Sequence, residues 1–404
     1  MDANRWPQLA WKNSRWIRSV TAGLILMLGA LCLPNANASG RTPSDRTVAT
    51  KTVSDSSWSA LGTGINGQVR AIAISGNDVY VGGMFNSAGT CTTGCNNIAK
   101  WNMTTATWSA LGTGVDGEVL AIAIHGGLVY VGGVFGSAGL VSANRIAVWD
   151  GSTWSALGAG VNGTVLTLAM SGDVVYAGGD FTQAGGSDFV SAWHSIGWQG
   201  LGAGTDSGVY ALADGGTRVY VGGGFASAGG ASNTAGIAFW DKPGWYALGT
   251  GVNGSVGYSV NAIAVNGNDV YVGGIFDDAS GVPVTNTAKW NSVSGWSALA
   301  PGISDNGAVY AIAVSGSDVY AGGGFRDRDN GAPNHIAKWN SGSGWSALGN
   351  GTDGNVYAIA ISGNEVYVGG SFNSADGVAN THGIAKYTAS VSVKVYLPLV
   401  LRAS

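Results

Sequence analysis

Apolar residues in this chain come in short runs of four or five, broken by glycine and polar residues. The stretch VLAIAIHGGLVYVGGVFGSAGLVSANRIAVWDGSTWSALGAGVNG (Val119–Gly163) contains four such runs, AIAI, VYVGG, IAVW and WSALG. Each has the length of a β-strand. No ten-residue stretch after residue 38 places apolar residues three and four apart, as an amphipathic helix would. AIAI, as in Ala71–Ile74, is apolar on both faces and predicts a strand sandwiched between neighbouring sheets. Its alternation of small with large side chains suits a crowded region near an axis. The VYVGG run is a second strand, whose glycines allow a bulge or a close backbone approach. IAKW (Ile98–Trp101) is a third strand with its lysine able to reach solvent, and WSALG (Trp108–Gly112) a fourth.

The unit recurs. Tyrosines before a glycine pair stand at Tyr80, Tyr130, Tyr176, Tyr220, Tyr271, Tyr320 and Tyr367, at spacings of 50, 46, 44, 51, 49 and 47. A period in the forties with four short strands predicts a β-propeller blade. The expectation is therefore an all-β, seven-bladed β-propeller of four-stranded antiparallel blades, spanning residues 58–387. Outside the first 38 residues every tryptophan falls on a repeat position. Trp101, Trp149, Trp193, Trp240, Trp290 and Trp339 end third strands, with Tyr387 in the remaining slot. Trp58, Trp108, Trp154, Trp198, Trp245, Trp296 and Trp345 begin fourth strands. Residues placed identically in each repeat read as packing aromatics rather than as a sugar-binding surface. NG or DG before each first strand reads as a turn in which Asn or Asp tolerates positive φ: Asn66, Asp116, Asn162, Asn253, Asn306 and Asp353, with Asp206 spaced by Ser207. The fourth-strand series begins one step early, at Trp58, and none follows Tyr387. The N-terminal strand is thus expected to pair beside Ile384–Tyr387 and cover that edge.

The ends of the chain carry other signals. Arg5, Lys12, Arg15 and Arg18 precede the apolar run Val20–Leu33, and Ala36–Ala38 offers small residues for cleavage. That is the layout of a secretory signal over residues 1–38. The run is short for a bilayer span of about 20 residues, and bulky Leu31 argues against lipid processing at Cys32. Residues 39–57 read as a linker. The tail 388–404 lacks the repeat; its apolar stretch suggests either a strand docked on the propeller or cell-surface attachment through another protein.

The 69 glycines occur without a triplet period, and the 8 prolines are few. Both facts exclude a collagen helix and a proline–glycine disordered tract. The chain holds 19 basic and 23 acidic residues; removing the signal leaves 15 against 22, a net charge of −7. Nucleic acid is not an expected partner, because no basic cluster is present to neutralise phosphates. Cys91 and Cys95 are the two cysteines outside the signal. A pair this close in an oxidising compartment predicts a disulfide; a two-thiolate metal site would lack other ligands nearby.

The order of apolar strand, VYVGG, and an aromatic five to seven residues before a Trp resembles kelch repeats and galactose-oxidase-like propellers. The fuller unit, WSALG…VYVGG…IAKW, is more similar still to repeats of cortical polarity-marker proteins and of uncharacterised secreted bacterial proteins. The resemblance covers Trp58–Tyr387; it departs from kelch in having Trp in the third strand and short Gly-rich hairpins. It implies a propeller but no single function, since propellers host both binding modules and enzymes.

Chemistry is hard to find. The copper site of galactose-oxidase-like enzymes needs a Cys–Tyr cross-link, yet both cysteines share one loop. His125, His194, His335 and His382 occupy unlike repeat positions and read as solvated loop residues. Only two glutamates occur, Glu118 and Glu365, so a carboxylate pair of the glycosidase kind is not apparent. Asp327–Gly331 begins like a calcium loop but is too short, and no nucleophile elbow occurs. The expectation is no catalytic centre, no metal and no cofactor. One position breaks the uniformity of the first strand: Arg70, Leu120, Leu166, Tyr210, Asn261, Tyr310 and Tyr357. In propellers of this kind that strand end lies near one mouth of the central channel, where ligands commonly bind. Arg70, Tyr210, Asn261, Tyr310 and Tyr357 are therefore the candidate ligand-binding residues. The functional expectation is a secreted, non-catalytic binding or scaffolding module for an extracellular protein or glycan; the alternative is an extracellular carbohydrate-active or oxidative enzyme.

Overall fold

The computed structural model describes residues 48–52, 57–255, 257–303, 307–326, 334–389 and 392–396. Thr50–Lys394 forms one compact unit. The signal-like segment 1–38, the calcium-like stretch Asp327–Gly331 and the end of the tail lie outside the described residues.

The four apolar runs of each repeat form one antiparallel sheet. In the first sheet Gln68–Ser75, Asp78–Met84, Ile98–Asn102 and Thr107–Ser109 follow one another in order. The same order recurs in sheets starting at Glu118, Val165, Val209, Ser259 and Val309. A further sheet takes Asn355–Ser362, Glu365–Ser371 and Ile384–Thr388 from the end of the repeats and Ser57–Ala60 from their start. Trp58 lies opposite Tyr387 there, and Ala60 opposite Ala385. Numbered by the first strands, these are seven four-stranded sheets among the described residues.

The core lies between sheets. Ile98 of the first sheet packs with Val119, Val129 and Val131 of the second, and Tyr367 and Ile384 of the seventh with Val69, Val79 and Val81 of the first. The glycine pair of VYVGG explains this closeness. A Cβ on Gly82 would stand 2.4 Å from Val119 Cγ1 in the next sheet, and one on Gly369 would stand 2.3 Å from Val69 Cγ1. The second glycine serves the sheet itself: a Cβ on Gly83 would lie 2.0 Å from the Gln68 carbonyl. One glycine admits the neighbouring sheet and the other admits a bulge in the partner strand.

The fourth-strand tryptophans lace adjacent sheets together. Trp108 Nε1 donates to the Leu61 carbonyl at 2.9 Å, Trp154 to Leu111 at 2.9 Å and Trp296 to Leu248 at 2.8 Å. Trp58 donates to Leu348 at 2.8 Å in the same manner. Trp108, Trp154 and Trp58 also meet the third-strand aromatic across the pair, with ring centroids 5.3 Å apart in each case. Indoles placed thus combine apolar burial with a satisfied N–H. The third-strand lysines point back to second-strand acids: Lys100 to Asp78 at 2.9 Å, Lys289 to Asp269 at 3.3 Å, Lys338 to Asp318 at 3.3 Å, and Lys386 to Glu365. These part-exposed pairs each contribute no more than about 1 kcal/mol.

Two expectations are corrected. Asn66, Asp116 and Asp353 do not adopt positive φ. Their side-chain oxygens instead each accept two backbone N–H groups from the loop after the second strand: Asn86 and Ser87, Gly136 and Ser137, Asn373 and Ser374. The glycine that follows is needed because a Cβ on Gly67 would fall 2.1 Å from the Met84 carbonyl. The first strands are also less enclosed than a sandwiched strand, with Ile72 and Ile74 only half-buried. Within the segment 39–57 the strand Val48–Thr52 pairs with Ser392–Tyr396 of the tail.

Candidate functional site

The variable first-strand position is the bulge. Pairing between first and second strands shifts by one residue between Val69 and Ala71, and likewise between Val119/Ala121, Val165/Thr167, Val209/Ala211, Val260/Ala262, Val309/Ala311 and Val356/Ala358. The residue skipped each time is Arg70, Leu120, Leu166, Tyr210, Asn261, Tyr310 or Tyr357. A bulged residue is freed from the ladder and its side chain is re-aimed. The position that varies is thus the one whose side chain the repeat does not need for its strand pairing.

Several of these residues meet across sheet boundaries. The rings of Tyr310 and Tyr357 are 5.6 Å apart and inclined by 44°. The Arg70 guanidinium lies over the Tyr357 ring, 4.2 Å from its centroid, and its Nε donates to Glu118 Oε1 at 2.9 Å. Sixth, seventh, first and second sheets therefore contribute consecutive members of one arc. The Tyr357 hydroxyl accepts from Ser371 Oγ at 3.2 Å and from Asn355 Nδ2 at 3.3 Å. Burial alone would raise its pKa, but these hydrogen bonds and the Arg70 charge hold it below the usual phenol value.

Asn261 is tied down separately, its amide donating to the Val309 carbonyl of the next sheet at 3.3 Å. Tyr210 is not in the stack. Burial, and then the negative charge of Asp180, raise its pKa. Leu120 and Leu166 give the second and third sheets an aliphatic edge in place of aromatic or charged groups.

A second set of residues at this rim escaped the sequence reading: those directly after the glycine pairs. Met84 lies opposite Gln68, Val134 opposite Glu118, Ile275 opposite Ser259 and Ser371 opposite Asn355. Met84, Val134 and Ile275 are exposed. Where the bulge holds tyrosine, this neighbour is small: Gly224 for Tyr210, Gly324 for Tyr310 and Ser371 for Tyr357. A Cβ on Gly324 would come within 3.5 Å of the Tyr310 ring. The signal was legible as a size compensation between two variable positions of the repeat.

Clefts open between neighbouring sheets beside the rim. One, of about 550 Å³, is lined by Asn66, Gln68, Ser87, Ser371, Asn373 and His382, among others. Another, of about 640 Å³, includes Asn66, Met84, Asn86, Asn96 and Asp116 in its lining.

The remaining candidates are dispersed. Cys91 and Cys95 are joined, with Cα atoms 6.0 Å apart, and Cys95 is buried in the core beside Ala99. The histidines do not converge. His125 Nε2 is 3.0 Å from Asp173 Oδ1 on an exposed hairpin. His335, expected to be solvated, is buried instead. It faces the Gly323 carbonyl through Nδ1 at 3.2 Å and accepts from Arg326 Nε at Nε2 at 2.9 Å. Desolvation, aided by the Arg326 charge, lowers its pKa, which keeps the ring neutral. Among the described residues no group of three or more His, Cys, Asp or Glu could hold a metal, and no helix is long and apolar enough to cross a membrane.

Residues 47–127 match the family model of the Rax2 C-terminal β-propeller domain. No curated protein matches the chain. Among solved structures, a chain of the mitotic checkpoint complex aligns with 92% of this chain and 100% of its own length, at 18% identity and a TM-score of 0.52. The WD40 β-propeller domain of Doa1 aligns with 85% of this chain and 97% of its own, at 12% identity and 0.51. The extracellular domain of a putative one-component system from B. thetaiotaomicron aligns over 81% of this chain and 39% of its own, at 12% identity and 0.54. At these identities the likeness is one of fold: the chain is a β-propeller.

Proposed function

We propose that this chain is a secreted, non-catalytic binding propeller that acts at the cell exterior and uses the bulge rim as its binding face. In this reading the propeller has seven kelch-like blades, with Ser57–Ala60 as the outer strand that completes the last. The observation that carries the proposal is the arc Tyr310–Tyr357–Arg70–Glu118. Bulged residues of the sixth, seventh and first sheets meet there, and Glu118 of the second sheet, two residues before its bulge, joins them. Ligand sites are concave, mostly apolar and fixed by a few polar groups, and this rim combines aromatic rings, an ion pair and adjoining clefts. The signal-like segment 1–38 and the likeness to the extracellular domain of a putative one-component system are in keeping with an exterior location. Attachment to the cell surface through the tail 388–404 belongs to the same proposal. The partner is an extracellular protein or glycan.

The test uses residues 39–404 as a purified protein in parallel on a glycan array, in affinity capture from cell-envelope material, and in hydrolase and oxidase assays. Saturable binding without turnover is expected. Turnover of a bound saccharide would overturn the non-catalytic reading, and binding that is unchanged by substitutions at Tyr310 and Tyr357 would overturn the rim as its face.

A further inference from the structure

We infer that the arc formed by Tyr310, Tyr357, Arg70 and Glu118, with the cleft beside Gln68 and Ser371, binds an uncharged sugar ring of an extracellular glycan. This inference rests on the rim being the binding face and names its ligand class.

Charge is the first argument. Arg70 is the one basic residue among the seven bulge positions, and its Nε is already bonded to Glu118 at 2.9 Å. An anionic ligand brought to Arg70 meets the Glu118 carboxylate, and a cationic one brought to Glu118 meets the guanidinium. A neutral ligand carrying both donors and acceptors suits such a pair, because it can bond to each without leaving a charge uncompensated. Sugar hydroxyls are groups of that kind.

Shape is the second. Tyr310 is 36% exposed and stands at the open end of the stack, whereas Tyr357 is covered by Arg70 on one side and neighboured by Tyr310 on the other. Gly324 itself puts no side chain beside the Tyr310 ring, where a Cβ would stand 3.5 Å from the ring and 3.6 Å from Asn355 Oδ1. An exposed ring beside polar groups offers a platform for the apolar face of a pyranose, while its hydroxyls reach the polar edge. The third argument is the cleft. Its volume of about 550 Å³ falls within the range of small-ligand sites, roughly 300–1,000 Å³. Gln68, Ser371 and Asn373, all polar, are among its lining residues, and such groups can meet sugar hydroxyls.

The experiment measures binding of the 39–404 protein to an array of neutral oligosaccharides, sialylated and uronic-acid glycans, and immobilised acidic and basic peptides. The strongest neutral glycan is then titrated against variants whose folding is checked by circular dichroism. The inference expects a neutral glycan to be retained in preference to charged ones. Tyr310→Ala is expected to weaken it about tenfold or more, Gly324→Leu to weaken it by covering the ring, and Leu166→Ala on the aliphatic edge to leave it unchanged. Retention of no neutral glycan, or a preference for sialylated glycans or charged peptides, overturns it. Capture of a protein partner that is lost in Tyr310→Ala overturns the sugar while leaving the rim as binding face. Neutral-glycan binding that is indifferent to Tyr310→Ala and Gly324→Leu overturns both.

Discussion

At the scale of single residues, the repeated glycines and the buried histidine make separable predictions. Gly82 is required by its neighbour, not by its own backbone angles, because its missing Cβ would collide with Val119 of the next sheet. Gly82→Ala should destabilise the protein by roughly 1–3 kcal/mol, the usual cost of overpacking. Gly342→Ala, whose new Cβ would lie 3.5 Å from the nearest atom, should be nearly silent in the same urea titration. His335 predicts a pH effect. Its folded pKa lies below the ordinary value of 6.5 because the ring is desolvated and Arg326 stands beside it, so between the two values the unfolded chain binds more protons. The stability that depends on neutral His335 is complete above about pH 6.5 and is lost as the pH falls through the folded pKa. Asn97 and Asn286 occupy the same repeat position, each with positive φ and with its side-chain oxygen accepting a backbone N–H. His335→Asn should therefore keep the fold while flattening the decline in melting temperature between pH 7 and 5. An equal decline in both proteins would refute this role.

Elements show how far the sequence could be read. The four runs per repeat, their order and the packing role of the tryptophans were legible, because each recurs at fixed spacing and patterning alone specifies a strand. What those residues do between sheets was not. Nothing in WSALG says that the Trp108 indole donates to Leu61 of the preceding sheet, since that partner lies 47 residues back and belongs to a different copy. The glycines of VYVGG allowed a bulge, but that it falls in the partner first strand was hidden for a similar reason: it is present in every repeat, so no comparison between copies exposes it, and only the irregular residue at position 70 and its equivalents marks the place. Asn66 and Asp116 were misread because Asn–Gly and Asp–Gly satisfy two physical needs with the same letters, a positive φ or a side-chain acceptor for loop amides. A test at this scale is Trp108→Phe. It keeps most of the apolar contact and removes one of the two hydrogen bonds that the Leu61 carbonyl accepts, the other coming from Gly64 N–H, at a cost of about 0.5–1.5 kcal/mol. The same substitution at Trp339, whose indole bond is exposed, should cost clearly less in thermal melting.

In the whole molecule the last of the four-stranded sheets takes its fourth strand from the start of the repeats. Ser57–Ala60 pairs along Ile384–Thr388, and Trp58 both meets Tyr387 and donates to Leu348. Deleting Ser39–Gly62 would leave the Ile384–Thr388 edge open to other chains and remove the Trp58–Tyr387 ring contact and the Trp58–Leu348 hydrogen bond. A fall in melting temperature on the order of ten degrees, with aggregation, is the expected result; a monomeric deletion variant with unchanged melting would show that the pairing is dispensable. The central claim concerns the division of labour within this ring, in which repeat-invariant residues build the propeller and the bulged residues recognise its ligand. The most direct measurement makes the rim uniform. A variant carrying Arg70→Leu, Tyr210→Leu, Asn261→Leu, Tyr310→Leu and Tyr357→Leu matches the leucines already at positions 120 and 166. It is compared with the unsubstituted 39–404 protein by circular dichroism, by melting and on the glycan array. The account predicts an unchanged β-sheet spectrum, a melting temperature within about ten degrees and no retained glycan. An unfolded variant, or a folded one that still binds as the parent does, would contradict it.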